Sequence, residues 1–353
     1  MVINMAAGAT EEQLQHVIDR VRECGFQPHV TRGAERAIVA AVGSGGSRMA
    51  LEALQAAPGV ESVVPIAHPF KLVSKQTSSG RTRVEVGGVV IGGEEAVVIA
   101  GPCSVESREQ LFSTARAVKA AGATLLRGGA YKPRTSPYDF QGLGLEALRL
   151  LREVREQVGL PVVTEVMSTN DIELISTYAD MLQVGARNMQ NYDLLRQLAK
   201  SNKPILLKRG PSATVKEWLL AAEYLLDGGN TQVILCERGI RTFETATRNT
   251  LDLASVALVK QRSHLPVLVD PSHATGLREL VIPMALAAAA AGADGLLVEV
   301  HSRPDEALCD GRQALTPELF AELMQRLPAV LHAVGRTLHH RVSTAPAVRA
   351  VSP

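Results

Sequence analysis

Aromatic residues are scarce, at 3% of the chain with a single Trp. Stacking on nucleic-acid bases needs rings, so it is not the theme here. An excess of one charge is missing too. The 37 basic and 36 acidic residues leave a formal net charge of +1, and no whole-chain footprint for nucleic acid exists. The four cysteines, Cys24, Cys103, Cys236 and Cys309, are too few and too scattered for a disulfide framework. The most apolar stretch, about residues 281–295, is mostly alanine and is interrupted by Asp294. It falls short of the ~20 residues that a membrane span requires. No basic-then-apolar leader opens the sequence, so the expectation is a cytoplasmic protein with reduced thiols and no membrane partner. What is present, 46% hydrophobic and 21% charged residues, is a globular balance. The 353 residues suit one large domain, or a large one with a small one.

The small unit comes first. A short apolar run at 2–5 precedes a helical stripe of Leu14, Val17, Ile18 and Val21 over 11–24, closed by Gly25. Strand patterns follow at 26–31 and 36–42, a second helix at 47–56 and a last strand at 60–66. That β-α-β-β-α-β order predicts a ferredoxin-like domain over residues 1–70. The polar stretch 71–81 has linker chemistry. From residue 82 the pattern changes. A hairpin turns at Gly87-Gly88, and eight short apolar runs then alternate with helical segments. Eight β-α units over 82–338 predict an α/β fold, a (β/α)8 TIM barrel with an N-terminal β-hairpin. Helices are expected at about 107–121, 142–158, 169–178, 191–201, 214–227, 249–262, 275–291 and 317–335, and a loose tail over 339–353.

In such a barrel the chemistry sits at the C-terminal ends of the strands. Nearly every run ends in a charged or metal-capable side chain. One group is cationic: Arg127, Lys132, Arg134, Arg187, Lys208, Arg209 and Arg238. A lone arginine or lysine is ordinarily solvated surface. Seven of them at strand ends repel one another unless an anion joins them, so the ligand should carry several negative charges. The other group is Cys103, His273, Glu299 and Asp310, from the tops of strands one, seven and eight. A thiolate, an imidazole and two carboxylates suit a divalent transition metal. His301 competes with His273, because Glu299 and His301 lie two apart on one strand and could both look inward. No Gly-rich dinucleotide fingerprint opens a helix after a strand, so no nicotinamide or flavin is implied.

These motifs together resemble the 3-deoxy-D-arabino-heptulosonate 7-phosphate (DAHP) synthase family, in its short-barrel branch with a ferredoxin-like extension. The carriers are Ala100-Gly-Pro-Cys103-Ser-Val-Glu106, Arg127-Gly-Gly-Ala-Tyr-Lys132-Pro-Arg134-Thr135-Ser136, Gln183-Val-Gly-Ala-Arg187-Asn188, Leu207-Lys208-Arg209-Gly210, Asp270-Pro-Ser-His273 and Glu299-Val-His301. The resemblance implies a metal-dependent condensation of phosphoenolpyruvate with erythrose 4-phosphate, the first step of the shikimate pathway. The sister family makes 3-deoxy-D-manno-octulosonate 8-phosphate from arabinose 5-phosphate. It usually shows Asn-Arg where this chain has Pro133-Arg134, so the four-carbon sugar is favoured. Ser302, Arg303 and Cys309 depart from the family pattern around Asp310.

By that resemblance Arg127, Lys132, Arg187, Lys208 and Arg238 bind phosphoenolpyruvate, and Arg134, Thr135 and Ser136 hold the phosphate of erythrose 4-phosphate. Lys132 is the expected proton donor, and Glu165 handles the water at C2. Mn2+ is the expected metal, with Fe2+, Co2+, Zn2+ or Cd2+ as substitutes. A homotetramer is expected. The extension would sense an aromatic amino acid, with His29 and Thr31 as effector residues because they share one face of a strand; solvent-facing polar residues are the plainer reading. A non-catalytic sensor of phosphorylated ligands is the alternative from another class. It predicts erosion among Cys103, Lys132, His273, Glu299 and Asp310, and all five are present. Cys309 beside Asp310 is a candidate to pair with Cys103 on oxidation.

Overall fold

The computed structural model describes residues 1–33, 36–43, 46–64, 69–78, 80–134 and 136–339. The N-terminal unit runs β1 (Val2–Met5), α1 (Glu11–Glu23), β2 (Gln27–Arg32), β3 (Ala37–Val42), α2 (Arg48–Glu52) and β4 (Val60–Val64). Its sheet order is β2-β3-β1-β4, antiparallel throughout. Thr10 starts α1 with a reciprocal cap: its side chain accepts from the Gln13 N–H, and Gln13 accepts from the Thr10 N–H. The apolar stripe of α1 then buries against Ile3, Met5, Val39 and Leu51.

A hairpin, β5 (Val84–Val86) and β6 (Val89–Ile91), leads into the barrel. The eight barrel strands are β7 (Glu95–Gly101), β8 (Leu125–Arg127), β9 (Val162–Val166), β10 (Met181–Val184), β11 (Ile205–Lys208), β12 (Val233–Glu237), β13 (Val267–Val269) and β14 (Gly295–Glu299). Each pairs in parallel with the next, and β14 closes on β7 from Gly295↔Val97 to Glu299↔Gly101. The strands are buried on both faces, which explains their continuous apolar runs. Inward residues such as Val97, Leu125, Met181, Leu206 and Leu268 pack with Val84, Val86, Val89 and Ile91. The hairpin therefore plugs the end of the barrel opposite the expected site, and polar chemistry is left to the other end.

Outside lie α3 (Arg108–Ala120), α4 (Leu145–Val158), α5 (Ile172–Tyr178), α6 (Tyr192–Leu198), α7 (Val215–Asp227), α8 (Leu253–Arg262), α9 (Pro271–Thr275), α10 (Arg278–Ala290) and α11 (Pro317–Ala333). Two helices differ from the sequence expectation. The helix expected over 275–291 is α10, which starts at Arg278, and a short helix not foreseen, α9, precedes it. Asp270 caps α9 by accepting from the His273 N–H, and Gly276 ends it at φ +71° before α10 begins. The helix expected from 249 starts at Leu253, capped by Asp252, and leaves 238–252 as a long loop.

The stretch 71–81 does not hang free. The Glu223 carboxylate on α7 accepts the backbone N–H groups of Lys71, Leu72 and Val73 at 2.7, 2.8 and 3.0 Å. At the other end a two-residue strand, β15 (Thr337–Leu338), pairs with β7. His339, which the sequence places in the tail, still donates its N–H to Ala96 O. The remainder of the expected tail, 340–353, lies outside the described residues. Among the described residues no helix is long and apolar enough to cross a membrane.

Candidate active site

Four side chains converge where β7, β13 and β14 end. Glu299 is the last residue of β14, Cys103 follows β7, His273 sits in α9 and Asp310 in the loop beyond β14. Asp310 is the only described non-glycine residue with positive φ, at 55°, a strained backbone that aims its carboxylate back at the barrel. One donor atom from each of the four lies within 4.8 Å of the others. Cys103 Sγ is 3.1 Å from Asp310 Oδ2 and 3.5 Å from His273 Nε2. His273 Nε2 is 3.7 Å from Glu299 Oε2. Metal bonds of 2.0–2.3 Å place the donors of a tetrahedral site about 3.5 Å apart, so this set fits a divalent ion with little movement. His273 Nδ1 faces Asp270 Oδ2 at 2.9 Å, a charge contact not aligned as a hydrogen bond. It leaves Nε2 for the group.

Protonation follows from the surroundings. A hydrogen bond with Cys309, then burial, push the Cys103 thiol up, against the pull of Lys132. Burial and the neighbouring Cys103 hold the Glu299 carboxyl well above the usual range. Burial works against the charge of Asp310 as well, but His273 and Lys132 outweigh it and keep that carboxyl below its ordinary value. Without metal, then, a thiol and a carboxyl keep protons that a cation would displace.

His301 is not part of the group. β14 ends at Glu299, and His301 Nε2 lies 3.3 Å from Glu106 Oε2 while its Nδ1 accepts from the Arg303 N–H. The two-apart parity holds only while a strand continues, and here the chain has left it.

Above the four donors opens a cavity of about 410 Å³, lined by Arg127, Lys132, Arg134, Arg187, Lys208, Arg238 and Glu165, among others. Lys132 Nζ donates to Cys103 Sγ at 2.7 Å. Lys208 Nζ donates to Asp270 at 2.6 Å. Arg187 reaches Pro133 O, and Arg134 is held by Asp139 in its own loop. Arg127 is 5% exposed, and its Nη1 has no hydrogen-bond partner; the Glu299 carboxylate stands off at 3.7 Å. A buried guanidinium donor left over in a cationic cavity is a place for an anion. Burial also draws the Arg238 guanidinium down.

Two residues of the sequence reading fall elsewhere, and one is not described. Arg209 does not face the cavity. It bonds Glu237, Asp252 and Ser255 behind β11, because alternation sends it outward where Lys208 points in. Ser136 is not among the residues lining the cavity, and its Oγ accepts from the Tyr138 N–H. Thr135 lies outside the described residues. In the N-terminal unit His29 Nε2 sits 3.7 Å from Asp227 at the end of α7, whereas Thr31 is exposed.

Several lining residues come from places that the strand-end rule does not reach. Arg241, Arg248 and Asn249 belong to the 238–252 loop. Gly185 makes room for Glu165, since a Cβ there would lie 2.0 Å from the Glu165 carboxylate. Gln183 donates to that carboxylate at 3.0 Å.

Comparison with known proteins agrees with this geometry. Residues 71–332 match the DAHP synthetase I family, and residues 1–68 match the DAHP synthase ferredoxin-like domain. The chain is 48% identical to a phospho-2-dehydro-3-deoxyheptonate aldolase of Thermotoga maritima, over 95% of this chain and 99% of that one. A 2-dehydro-3-deoxyphosphooctonate aldolase of Bordetella petrii is 34% identical, over 65% of this chain and 88% of its own. Among solved structures, the DAHP synthase of Thermotoga maritima superposes with a TM-score of 0.76 at 46% identity, covering 96% of this chain and 99% of that one. The chain belongs to the DAHP synthetase I family and bears that family's ferredoxin-like domain ahead of its barrel.

Proposed function

We propose that the barrel mouth works as two anion sites above one metal site. Arg127, Lys132, Arg187, Lys208 and Arg238 take phosphoenolpyruvate, and Arg134, which lines the cavity, takes the phosphate of the sugar. The overall reaction is that of a DAHP synthase: phosphoenolpyruvate, erythrose 4-phosphate and water give 3-deoxy-D-arabino-heptulosonate 7-phosphate and phosphate, the entry to aromatic amino acid biosynthesis. The octulosonate 8-phosphate reaction is the distant one, since the Bordetella petrii relative of that name is 34% identical over 65% of this chain, against 48% over 95% for the heptonate aldolase of Thermotoga maritima. The observation that carries the site assignment is the cation-lined cavity standing over the four convergent donors.

The family is metal-dependent, and Cys103, His273, Glu299 and Asp310 would hold the ion, with Mn2+ the expected one. Bound there, a divalent ion supplies Lewis acidity to an aldehyde oxygen. The chain supplies the rest. The cations offset the phosphate and carboxylate of phosphoenolpyruvate and turn its C3 toward the aldehyde carbon, a proximity effect. A bond forms between those carbons, and Lys132 Nζ gives a proton to the aldehyde oxygen. Burial opposes the charge of Lys132, yet Cys103 and Asp310 keep it protonated. Water adds at C2 of phosphoenolpyruvate and Glu165 accepts one of its protons; the C2 hydroxyl gives the other to the departing phosphate as the C2–O bond to phosphate breaks and C2 becomes the ketone carbon. In the N-terminal unit, His29 and Thr31 are proposed to meet an aromatic amino acid effector.

Chelation should abolish turnover, and Mn2+ or another divalent ion should restore it, because mixed S/N/O donors select weakly among metals. Cys103→Ala, His273→Ala and Glu299→Ala should each lower kcat far more than they raise KM for phosphoenolpyruvate. Full activity of protein shown to be metal-free refutes the metal role, and inactivation by His301→Ala with His273→Ala active reverses the ligand choice.

A further inference from the structure

The loop that delivers Asp310 also delivers a second side chain to the same group. Asp310 starts a short turn, and the Gln313 N–H donates to Asp310 O at 3.0 Å. The turn has little freedom: Asp310 is held at φ 55°, and a Cβ on Gly311 would lie 2.1 Å from Pro304 O. Gln313 is 2% exposed. Its Nε2 donates to Glu299 Oε2 at 2.7 Å, and its Oε1 accepts from Arg248 Nη1 at 3.1 Å. The amide orientation follows from chemistry. A guanidinium only donates, so the carbonyl end must face Arg248 and the NH2 end must face Glu299. The same Arg248 Nη1 lies 3.4 Å from Asp310 Oδ1. One glutamine and one arginine thus span the two carboxylates of the group.

The alternative position for Glu299 is visible. Arg127 Nη1 is buried, unpartnered and 3.7 Å from Glu299 Oε2. A small swing of the carboxylate would give a charge-assisted bond to that guanidinium. It would take a ligand from the metal and a cation from the substrate together. We propose that Gln313, oriented by Arg248, is a positioning residue that holds the Glu299 carboxylate in its metal-binding attitude and keeps it from collapsing onto Arg127. This rests on the metal site assigned above. Residues that fix a ligating carboxylate in this way are worth about 10- to 100-fold in metal affinity.

The test is Mn2+ affinity, read by competition with a chromophoric chelator, on the full chain and on Gln313→Met, which keeps the length and loses the amide. Gln313→Asn keeps the amide one methylene short and stands in if Gln313→Met melts early. The parent should bind one Mn2+ that Cys103→Ala loses; if it binds none, the metal site itself is wrong. Given that binding, each folded variant should hold Mn2+ about 10- to 100-fold more weakly, with the melting temperature of the metal-free protein nearly unchanged. Affinity within about twofold of the parent in either folded variant overturns the positioning role and leaves the metal site standing.

Discussion

Asp270→Asn removes a charge from beneath the site and keeps the shape of the side chain. Asp270 is wholly buried. Its Oδ2 accepts the Lys208 ammonium at 2.6 Å, and its Oδ1 accepts the His273 backbone N–H at 2.9 Å. Burial works against that charge, but His273 and Lys208 hold the carboxyl well below its ordinary value. An amide has one oxygen. Whichever way it turns, its NH2 group meets either the ammonium or the N–H that caps α9. Lys208, 4% exposed, is left as a buried cation without its anion, a loss of about 3–5 kcal/mol. At about 2 °C per kcal/mol for a chain of this length, the metal-free variant should melt about 6–10 °C lower. Phosphoenolpyruvate should restore part of that loss, since it binds the same ammonium in the native state alone. Calorimetry of the metal-free protein with and without phosphoenolpyruvate is the assay. A variant melting within about 1 °C of the parent refutes the premise that Asp270 neutralises Lys208.

Arg134→Ala should raise KM for erythrose 4-phosphate, and Arg187→Ala that for phosphoenolpyruvate, each by roughly 10- to 100-fold for one charged contact; equal effects on both substrates would merge the two anion sites. Metal uptake near neutral pH should release protons, because Cys103 and Glu299 are held above their ordinary values. Titration calorimetry in buffers of different ionisation enthalpy counts them, and zero release contradicts the assignment. The same raised Glu299 means that folded metal-free protein binds more protons than unfolded protein once pH passes the unfolded value of about 4.3, so this group's contribution to stability falls as pH rises from there. Hydrogen peroxide should join Cys103 to Cys309, each of which shifts the other's thiol, with two thiol protons and two electrons passing to peroxide to give water. Loss of activity at the same rate in Cys309→Ser would sink that pairing, and bound metal should protect.

The barrel is legible in the sequence because its strands are buried on both faces and separated by helices, so each appears as a short apolar run of β-branched and leucine residues. The strand-end rule then finds Arg127, Lys208 and Glu299, whose positions depend only on where a run stops. It errs where a strand stops or where neighbours alternate. Arg209 follows Lys208 and so turns outward, and His301 lies beyond the last paired residue of β14. Residues delivered by loops leave no periodic mark. Arg248 and Asn249 act from a loop, of which the helical pattern expected from 249 covers Asn249, and Gln313 reaches Glu299 through a turn whose shape depends on a positive φ at Asp310. The short α9, ahead of the helix expected over 275–291, did leave a signal, Asp270-Pro271 at its start and Gly276 at its end.

Phosphate release from phosphoenolpyruvate by Mn2+-loaded protein tests the central claim most directly. Release should require erythrose 4-phosphate, should stop on chelation, and should not be supported by arabinose 5-phosphate. Release driven by arabinose 5-phosphate alone, or none with erythrose 4-phosphate in metal-loaded protein, would contradict it.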